Sequence, residues 1–404
     1  MKILLLNDYA TPTGGAELLM FALRDGLRQL GHDARLFASS AQAGEGDRTA
    51  DYECLGTTSS FRTLLQSWNP WAANRLRQVI REFQPDIVHV KIFLTQLSPS
   101  ILSVLKDIPS LYYVAWYRPI CPLGSKTLPD GSPCGDRYGK ACYRNSCLPL
   151  QDWLPLMLQM RHWQQSQQYF NQIVANSQSV QRRIESEGIS TGGVVHCGVP
   201  VRAARPPLNS PPTVVFAGRL IWEKGVDVLI NAFAAVKAKC PAAKLIIAGD
   251  GPERDRLQSL INALALEDAI SLLGYLPRAE MEHAFDQAWV QVVPSRWAEP
   301  FGMVAAEAMM RGTAVLASAS GGLMEIVQNG ETGILVPPND AQPLAAALLL
   351  LLKDRSLAEQ MGRLGRKVAL ERFSEPIFVD RFVAQYEQLL QENATVDRKK
   401  AYVV

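Results

Sequence analysis

Two glutamates eight positions apart, Glu299 and Glu307, stand in RWAEPFGMVAAEAM, a stretch otherwise dominated by small and apolar residues. Pro300 and Gly302 should keep Glu299 in a loop, whereas Glu307 falls in the second turn of a helix starting near Gly302. Were both helical, about 12 Å of rise would separate them, too far to share one small group. A loop residue and a helical residue can instead converge on different parts of one ligand. The helix N-terminus between them presents free N–H groups at FGMV, residues Phe301, Gly302, Met303 and Val304, suited to an anion. A carboxylate suits vicinal sugar hydroxyls, because it accepts two hydrogen bonds. The plainer alternative is an exposed helical glutamate at 307.

A second candidate cluster lies in FAGRLIWEKG, where Gly218, Arg219 and Lys224 follow a strand and precede a helix opening at Gly225. Two cations there can grip a diphosphate while backbone N–H groups assist, or they can simply be a solvated charged turn. Gly249, Gly251 and Pro252 of IIAGDGPE make a tight turn that reads as ordinary α/β punctuation. Near the start, Gly14 and Gly15 in NDYATPTGGAE open a helix and let backbone amides approach an anion, although such a pair commonly means only a turn. In SASGGLMEIVQNGETGILVPPND, Gly321 and Gly322 open another short helix with Glu325 on its first turn.

The elements that must position these residues follow from hydrophobic period. Short β-branched or leucine-rich runs alternate with segments of helical period, which predicts βαβ units and parallel sheets. The expected strands are KILLLN, DARLFA, DIVHV, SLYYVA, QIVAN and GVVHC, then TVVFAG, KLIIAG, AISLLG, WVQVVP, TAVLAS and GILVP. Between the two sets, VPVRAARPPLNSPP is too rich in proline for a helix or central strand and predicts a linker over residues 201–212. The expectation is two doubly wound domains, 1–200 and 213–375, with a nucleotide at the strand ends where they face each other across a cleft. PIFVDRFVAQYEQLLQEN, after Pro376, predicts an amphipathic helix over 376–394 that packs back on the first domain, followed by a frayed tail.

Composition fits this picture. A chain of 404 residues that is 48% hydrophobic, with 41 Lys and Arg against 39 Asp and Glu, is a globular protein with no basic excess that would suggest nucleic acid. No apolar run approaches the roughly 20 residues of a membrane span, and MKILLLNDYA turns polar too soon for a signal peptide, so a cytoplasmic location is expected.

Taken together, GRLIWEKG, then E-x(7)-E as EPFGMVAAE, then GGLMEIVQNGETGILVPPND, with GGAE near the start and VANSQSVQRRI before the linker, resemble the family 4 glycosyltransferases of the GT-B fold. The resemblance covers nearly the whole chain and is strongest from about 213 to 340. It implies retaining, metal-independent transfer of a sugar from a nucleotide diphosphate donor to a hydroxyl of a glycan, glycolipid or similar acceptor, with no cofactor. It implies catalytic roles for Arg219 and Lys224, which would hold the diphosphate, and for Glu299, which would contact the donor sugar. Glu307 would bind the ribose, the amides of Phe301 to Val304 and Gly218 would line the donor, and Gly14 and Gly15 would approach its phosphates.

One part of the pattern is broken. Where relatives read like LHDYWLLCP this chain reads VAWYRPICP, so the family's histidine falls on Ala115 and its aspartate on Trp116; a second position, often histidine, is Lys91. The resemblance then leaves a changed donor, a rearranged acceptor-side site in which Lys91, Trp116 or Arg118 compensates, or a nucleotide-sugar-binding regulatory or partner subunit that transfers poorly.

Cys121, Cys134, Cys142 and Cys147 fall in one Gly- and Pro-rich stretch without a C-x(2)-C pair. A structural zinc would order this loop, and free thiols or an oxidative disulfide are the alternatives. Residues 60–83 combine Trp68 and Trp71 with Arg62, Arg75, Arg77 and Arg81, and WLPLMLQMRHW adds further aromatic residues and methionines. This basic, aromatic surface could rest on anionic lipid headgroups at the inner face of the membrane, or it could be core packing with a solvated basic face.

Overall fold

Strands buried on both faces are what continuous Val-, Ile- and Leu-rich runs produce, and such strands need helices above and below them. A computed structural model, which describes residues 1–11, 14–41, 49–59 and 62–401, has this organisation throughout. The chain divides into two compact units, Met1–Gly198 with Glu375–Val404, and Val199–Ser374.

The first unit holds β1 (Lys2–Tyr9), β2 (Asp33–Ser39), β3 (Tyr52–Cys54), β4 (Ile87–Ile92), β5 (Ser110–Val114) and β6 (Gln172–Ala175), in the order β3-β2-β1-β4-β5-β6 with parallel pairing. Its helices are α1 (Gly15–Gln29), α2 (Arg62–Ser67), α3 (Pro70–Phe83), α4 (Lys140–Arg144), α5 (Leu150–Ser166) and α6 (Gln178–Glu185). The second unit holds β7 (Thr213–Ala217), β8 (Lys244–Ala248), β9 (Ile270–Gly274), β10 (Val290–Val293), β11 (Ala314–Ser318) and β12 (Gly333–Val336), in the order β12-β11-β10-β7-β8-β9. Its helices are α7 (Val226–Lys239), α8 (Arg254–Ala263), α9 (Arg278–Ala284), α10 (Met303–Met310), α11 (Leu323–Ile326), α12 (Ala341–Lys353) and α13 (Arg355–Arg372). Each sheet therefore has the 3-2-1-4-5-6 order of a dinucleotide-binding sheet, whose direction of winding reverses between its first and fourth strands. Those switch points are β1/β4 in the first unit and β7/β10 in the second.

GVVHC departs from the expectation. It forms only an isolated bridge, Ala175 to Val194, and Gly193 beside it is turned to φ +131°, out of the extended conformation a strand needs. β3, three residues long, carries too little pattern to be read from sequence. Residues 201–212 contain no helix or strand, yet they lie within the second unit: Leu208 is fully buried in its core, and Arg205 N–H donates to the Arg311 carbonyl at 2.8 Å. The last helix, α14 (Glu375–Ala401), runs on through most of the tail expected to fray. Its Phe378, Phe382 and Tyr386 are buried in the first unit, where the Tyr386 hydroxyl lies 2.6 Å from His89 Nδ1.

Candidate active site

In the second unit, the β7 exit carries Arg219 and then a single 3-10 turn, Trp222–Lys224, which Gly225 joins to α7. Gly225 has φ +65°, and a Cβ there would lie 2.1 Å from the Pro294 carbonyl, so the turn packs directly on the β10 exit. Arg296 ties the two exits together. Its guanidinium bonds both Asp227 carboxylate oxygens at 2.7 and 2.8 Å and the Trp222 carbonyl at 2.9 Å. Burial works to raise the Asp227 carboxyl, but the bonds and charge of Arg296, with Arg256, outweigh it and hold the group below its ordinary value.

The tie delivers Lys224 to Glu299. Lys224 Nζ donates to Glu299 Oε1 at 2.6 Å, and Ser295 Oγ donates to the same oxygen at 2.6 Å. Glu299 is 5% exposed. Burial alone would raise its carboxyl, and the charge and hydrogen bond of Lys224 with the Ser295 bond reverse this and keep it ionised below the usual range. Arg219 is exposed, and its side chain has no hydrogen bond or ion pair among the described residues. The GDGPE turn buttresses this segment: Gly249 has φ +150° and its Cβ would stand 1.8 Å from the Gly218 carbonyl, while Leu220 N–H donates to the Asp250 carbonyl at 2.8 Å.

Glu299 lies in the loop after β10 and Glu307 on α10, with buried Phe301 and Gly302 between them and Met303 and Val304 on the first turn of the helix. Gln291 Nε2 donates to the Val304 carbonyl at 2.9 Å, pinning the helix start to β10. The Gly321–Gly322 pair presses on the loop from behind: a Cβ on Gly322 would stand 2.7 Å from the Phe301 Cα, and Gly322 N–H donates to the Glu299 carbonyl at 2.7 Å. Arg278, at the start of α9, donates to Glu307 Oε1 at 2.6 Å. Sequence reading missed both Arg278 and Arg296. Arg296 opens the RWAEPFGMVAAEAM stretch, but nothing in its spacing names Asp227 as its partner.

In the first unit, Gly14 and Gly15 stand at the start of α1, after β1, and Pro12 and Thr13 lie outside the described residues. Asp8, at the end of β1, accepts from the Thr95, Gln96 and Leu97 N–H groups at 2.8 to 2.9 Å and so shapes the loop after β4. Lys91, near the end of β4, is 1% exposed with its ammonium 5.9 Å from the Tyr113 ring. Burial pushes it down to about 8, against the opposing influence of Cys197 and Glu17. Trp116 is half-buried against Gly124. Arg118 is buried on protein partners, Gln66 Oε1, the Leu94 carbonyl and Gln159 Oε1, at 3.1 to 3.2 Å.

Of the alternatives open for Cys121, Cys134, Cys142 and Cys147, the structure has the thiols free. All seven cysteines are free, and among the described residues no group of three or more His, Cys, Asp or Glu is placed to hold a metal. The cysteine-bearing stretch is ordered by other means: Lys126 reaches Glu187 at 2.9 Å, and Cys134 N–H donates to the Lys126 carbonyl at 2.9 Å.

Cations and carboxylates thus gather at the switch point of a doubly wound sheet, where α/β proteins of this class bind their ligands. The profile of Glycosyltransferase Family 4 matches residues 13–203, and that of Glycosyl transferases group 1 matches residues 201–368. The chain belongs to this family of GT-B glycosyltransferases. An exopolysaccharide phosphotransferase of Streptomyces coelicolor is 38% identical over 181 residues, 45% of this chain and 18% of that protein. A glycogen synthase of Mycobacterium tuberculosis is 37% identical over 165 residues, 41% of this chain and 40% of that protein. The matched regions thus span well under half the length of these relatives. Among solved structures, sucrose-phosphate synthase from Thermosynechococcus elongatus has a TM-score of 0.74 at 22% identity, covering 97% of this chain and 100% of that one. Anabaena HepE in complex with UDP-glucose has a TM-score of 0.68 at 21% identity, covering 96% and 100%. At these identities the structures establish the fold. No helix among the described residues is long and apolar enough to cross a membrane.

Proposed function

We propose that the protein is a retaining, metal-independent glycosyltransferase that moves a sugar from a nucleotide diphosphate donor to a hydroxyl of a glycan or lipid-linked acceptor. It would work in the cytoplasm, peripherally on an anionic membrane face. The observation that carries the reading is the Lys224–Glu299 pair, which joins the β7 and β10 exits at the switch point beside the start of α10. Arg219 and Lys224 take the diphosphate and its growing charge as the sugar leaves, Glu299 meets the donor sugar, and Glu307 meets the ribose. Acceleration then comes from charge stabilisation and positioning. In the first unit, Lys91 and Trp116 belong to the acceptor side.

Thermal shift against a panel of UDP-, GDP-, ADP- and dTDP-sugars identifies the donor, because a bound donor stabilises the folded protein by mass action. Release of nucleoside diphosphate then measures turnover. Arg219→Ala and Lys224→Ala should each remove that turnover, and wild-type rates from either variant would sink the assignment.

Binding without transfer, as a regulatory or partner subunit, is a second reading with one observation in its favour. Ala115 stands where the family has histidine, and Arg118 is committed to Gln66, Gln159 and a carbonyl. Saturable donor binding with no hydrolysis or transfer across several acceptors would select it.

A further inference from the structure

Helices α2 and α5 have two very different sides. Their inner sides meet around buried Gln66 and Gln159, and both glutamines hold Arg118, in the loop after β5. Gln159 Nε2 also donates to the Gln66 carbonyl and, at 2.8 Å, to the Leu94 carbonyl in the loop after β4. The pair is therefore fixed to the carboxyl-end loops of the first sheet. The outer side is apolar and exposed. Leu150, Leu154 and Leu158, at i, i+4 and i+8, form one stripe of about 12 Å on α5, each more than half exposed. Leu64 on α2 and Trp68, just past its end, extend it, at 60% and 63% exposure. The Trp68 ring stacks on His162 at 5.7 Å, which joins the two helices' faces into one. Each of the two sequence alternatives holds in part: Met160 and Trp163 of α5 are core residues, and the leucines are what reaches solvent.

Soluble proteins rarely leave such a stripe uncovered. Its surroundings indicate what covers it. Helices α2, α4 and α5 carry Arg62, Lys140, Arg144 and Arg161, all exposed, against one acid, Asp152, whose Oδ1 accepts from Thr63 Oγ1 at 3.1 Å. None of these four cations has an ion pair among the described residues. A second copy docked on the same face by twofold symmetry would bring like charges together. An anionic bilayer instead offers apolar depth to the leucines and phosphate headgroups to the cations.

We propose that the α2–α5 face is the membrane-docking surface of this protein, seating Leu64, Trp68, Leu150, Leu154 and Leu158 in the interface of an anionic leaflet. Docking there sets the β4 and β5 loops near the headgroup plane, where a lipid-linked acceptor presents its hydroxyl. The biological purpose rests on the transferase reading, but the docking is measurable without turnover.

The test is flotation of the full chain with vesicles of phosphatidylcholine alone or mixed with phosphatidylglycerol. Wild type should float with the mixed vesicles, much less with phosphatidylcholine alone, and be released by salt. Leu154→Glu with Leu158→Glu should lower partitioning about tenfold or more, with circular dichroism and the donor-induced thermal shift unchanged. Should that variant misfold, Leu154→Ser with Leu158→Ser and, separately, Arg161→Gln carry the test. Failure of wild type to float with either vesicle overturns the proposal, as does undiminished flotation of the folded leucine variants. A wild-type dimer by light scattering that those variants split would assign the face to protein association instead. Flotation without any donor-induced thermal shift leaves docking standing and counts against the transferase reading.

Discussion

Lys224→Ala isolates the electrostatics of the site. The Glu299 and Lys224 side chains are 7% and 19% exposed, so the variant strands a buried carboxylate left with the neutral donors Ser295 and Trp297. Breaking a fully buried pair costs about 3–5 kcal/mol; the partial exposure of Lys224 and the surviving Ser295 bond put this case at about 2–3 kcal/mol at neutral pH. In a unit of this size that corresponds to a loss of roughly 4–12 °C in Tm. The pH dependence follows from the sign of the shift. In wild type the Glu299 carboxyl is held below its ordinary 4.5, so its stabilising contribution is complete above 4.5 and disappears as pH falls through the lowered value. Without Lys224, burial prevails and the carboxyl rises above 4.5; its penalty is then complete above the raised value and vanishes below 4.5. The Tm gap between the two proteins should therefore be widest near about pH 7 and narrow toward about pH 4. Lys224→Ala combined with Glu299→Gln, which removes both charges, should recover most of the lost Tm but none of the activity. Scanning calorimetry across pH on the three proteins measures each quantity. A gap that stays constant with pH, or a double variant no more stable than Lys224→Ala, would refute the reasoning.

Two further perturbations test the parts that hold the loop carrying Glu299 and the carboxylate of Glu307. Arg278→Ala takes the guanidinium away from Glu307, and since a half-buried pair of this kind is worth about 1 kcal/mol, donor KM should rise about fivefold with kcat little changed. Arg278→Lys should restore part of that, and initial-rate kinetics showing a kcat loss at constant KM would contradict the assignment. Gly322→Ala adds a Cβ 2.7 Å from the Phe301 Cα without needing a positive φ, so its effect is steric. Overpacking of about 1–3 kcal/mol should displace the loop carrying Glu299 and lower kcat/KM by roughly ten- to a hundredfold; a wild-type rate would argue against the loop's role.

Much of this arrangement could be read from the sequence, and the boundary has a physical basis. The strands from KILLLN to GILVP announce themselves because buried parallel strands are runs of β-branched and leucine side chains, a signal local to a few residues. Glu299 in a loop and Glu307 on a helix follow likewise from Pro300 and Gly302 between them. What stayed hidden depends on partners distant in sequence. Arg296 finds Asp227 across 69 positions, Glu307 finds Arg278 across 29, and Gln66 meets Gln159 across 93. The reading of α5 shows the same limit: its aromatic and methionine content left an exposed surface and core packing both open, and it is Phe93, Tyr112 and Phe170, all distant in sequence from the helix's start, that take Trp163 inside and leave Leu154 outside.

Glu299 serves Lys224 as much as it could serve a sugar. A carboxylate this deeply buried stays charged chiefly because Lys224 is 2.6 Å away, and the ammonium in turn is held at the β10 exit by that carboxylate. Any diphosphate taken by Lys224 must therefore share it with an anion already in place, whereas Arg219 brings its full charge. Glu299→Gln should split two properties that a simple binding residue would lose together. With the competing charge gone, Lys224 is free for the diphosphate, and the nucleoside diphosphate of the donor should bind about fivefold tighter, corresponding to roughly 1 kcal/mol of relieved competition. Transfer should fall by about a hundredfold or more, because the ammonium is no longer fixed where the leaving charge develops and the sugar has lost its carboxylate. Isothermal titration with the nucleoside diphosphate, set beside turnover of the full donor, reads both. Weaker diphosphate binding in Glu299→Gln would mean that the carboxylate holds Lys224 in its only useful position, and the competition argued here would be wrong.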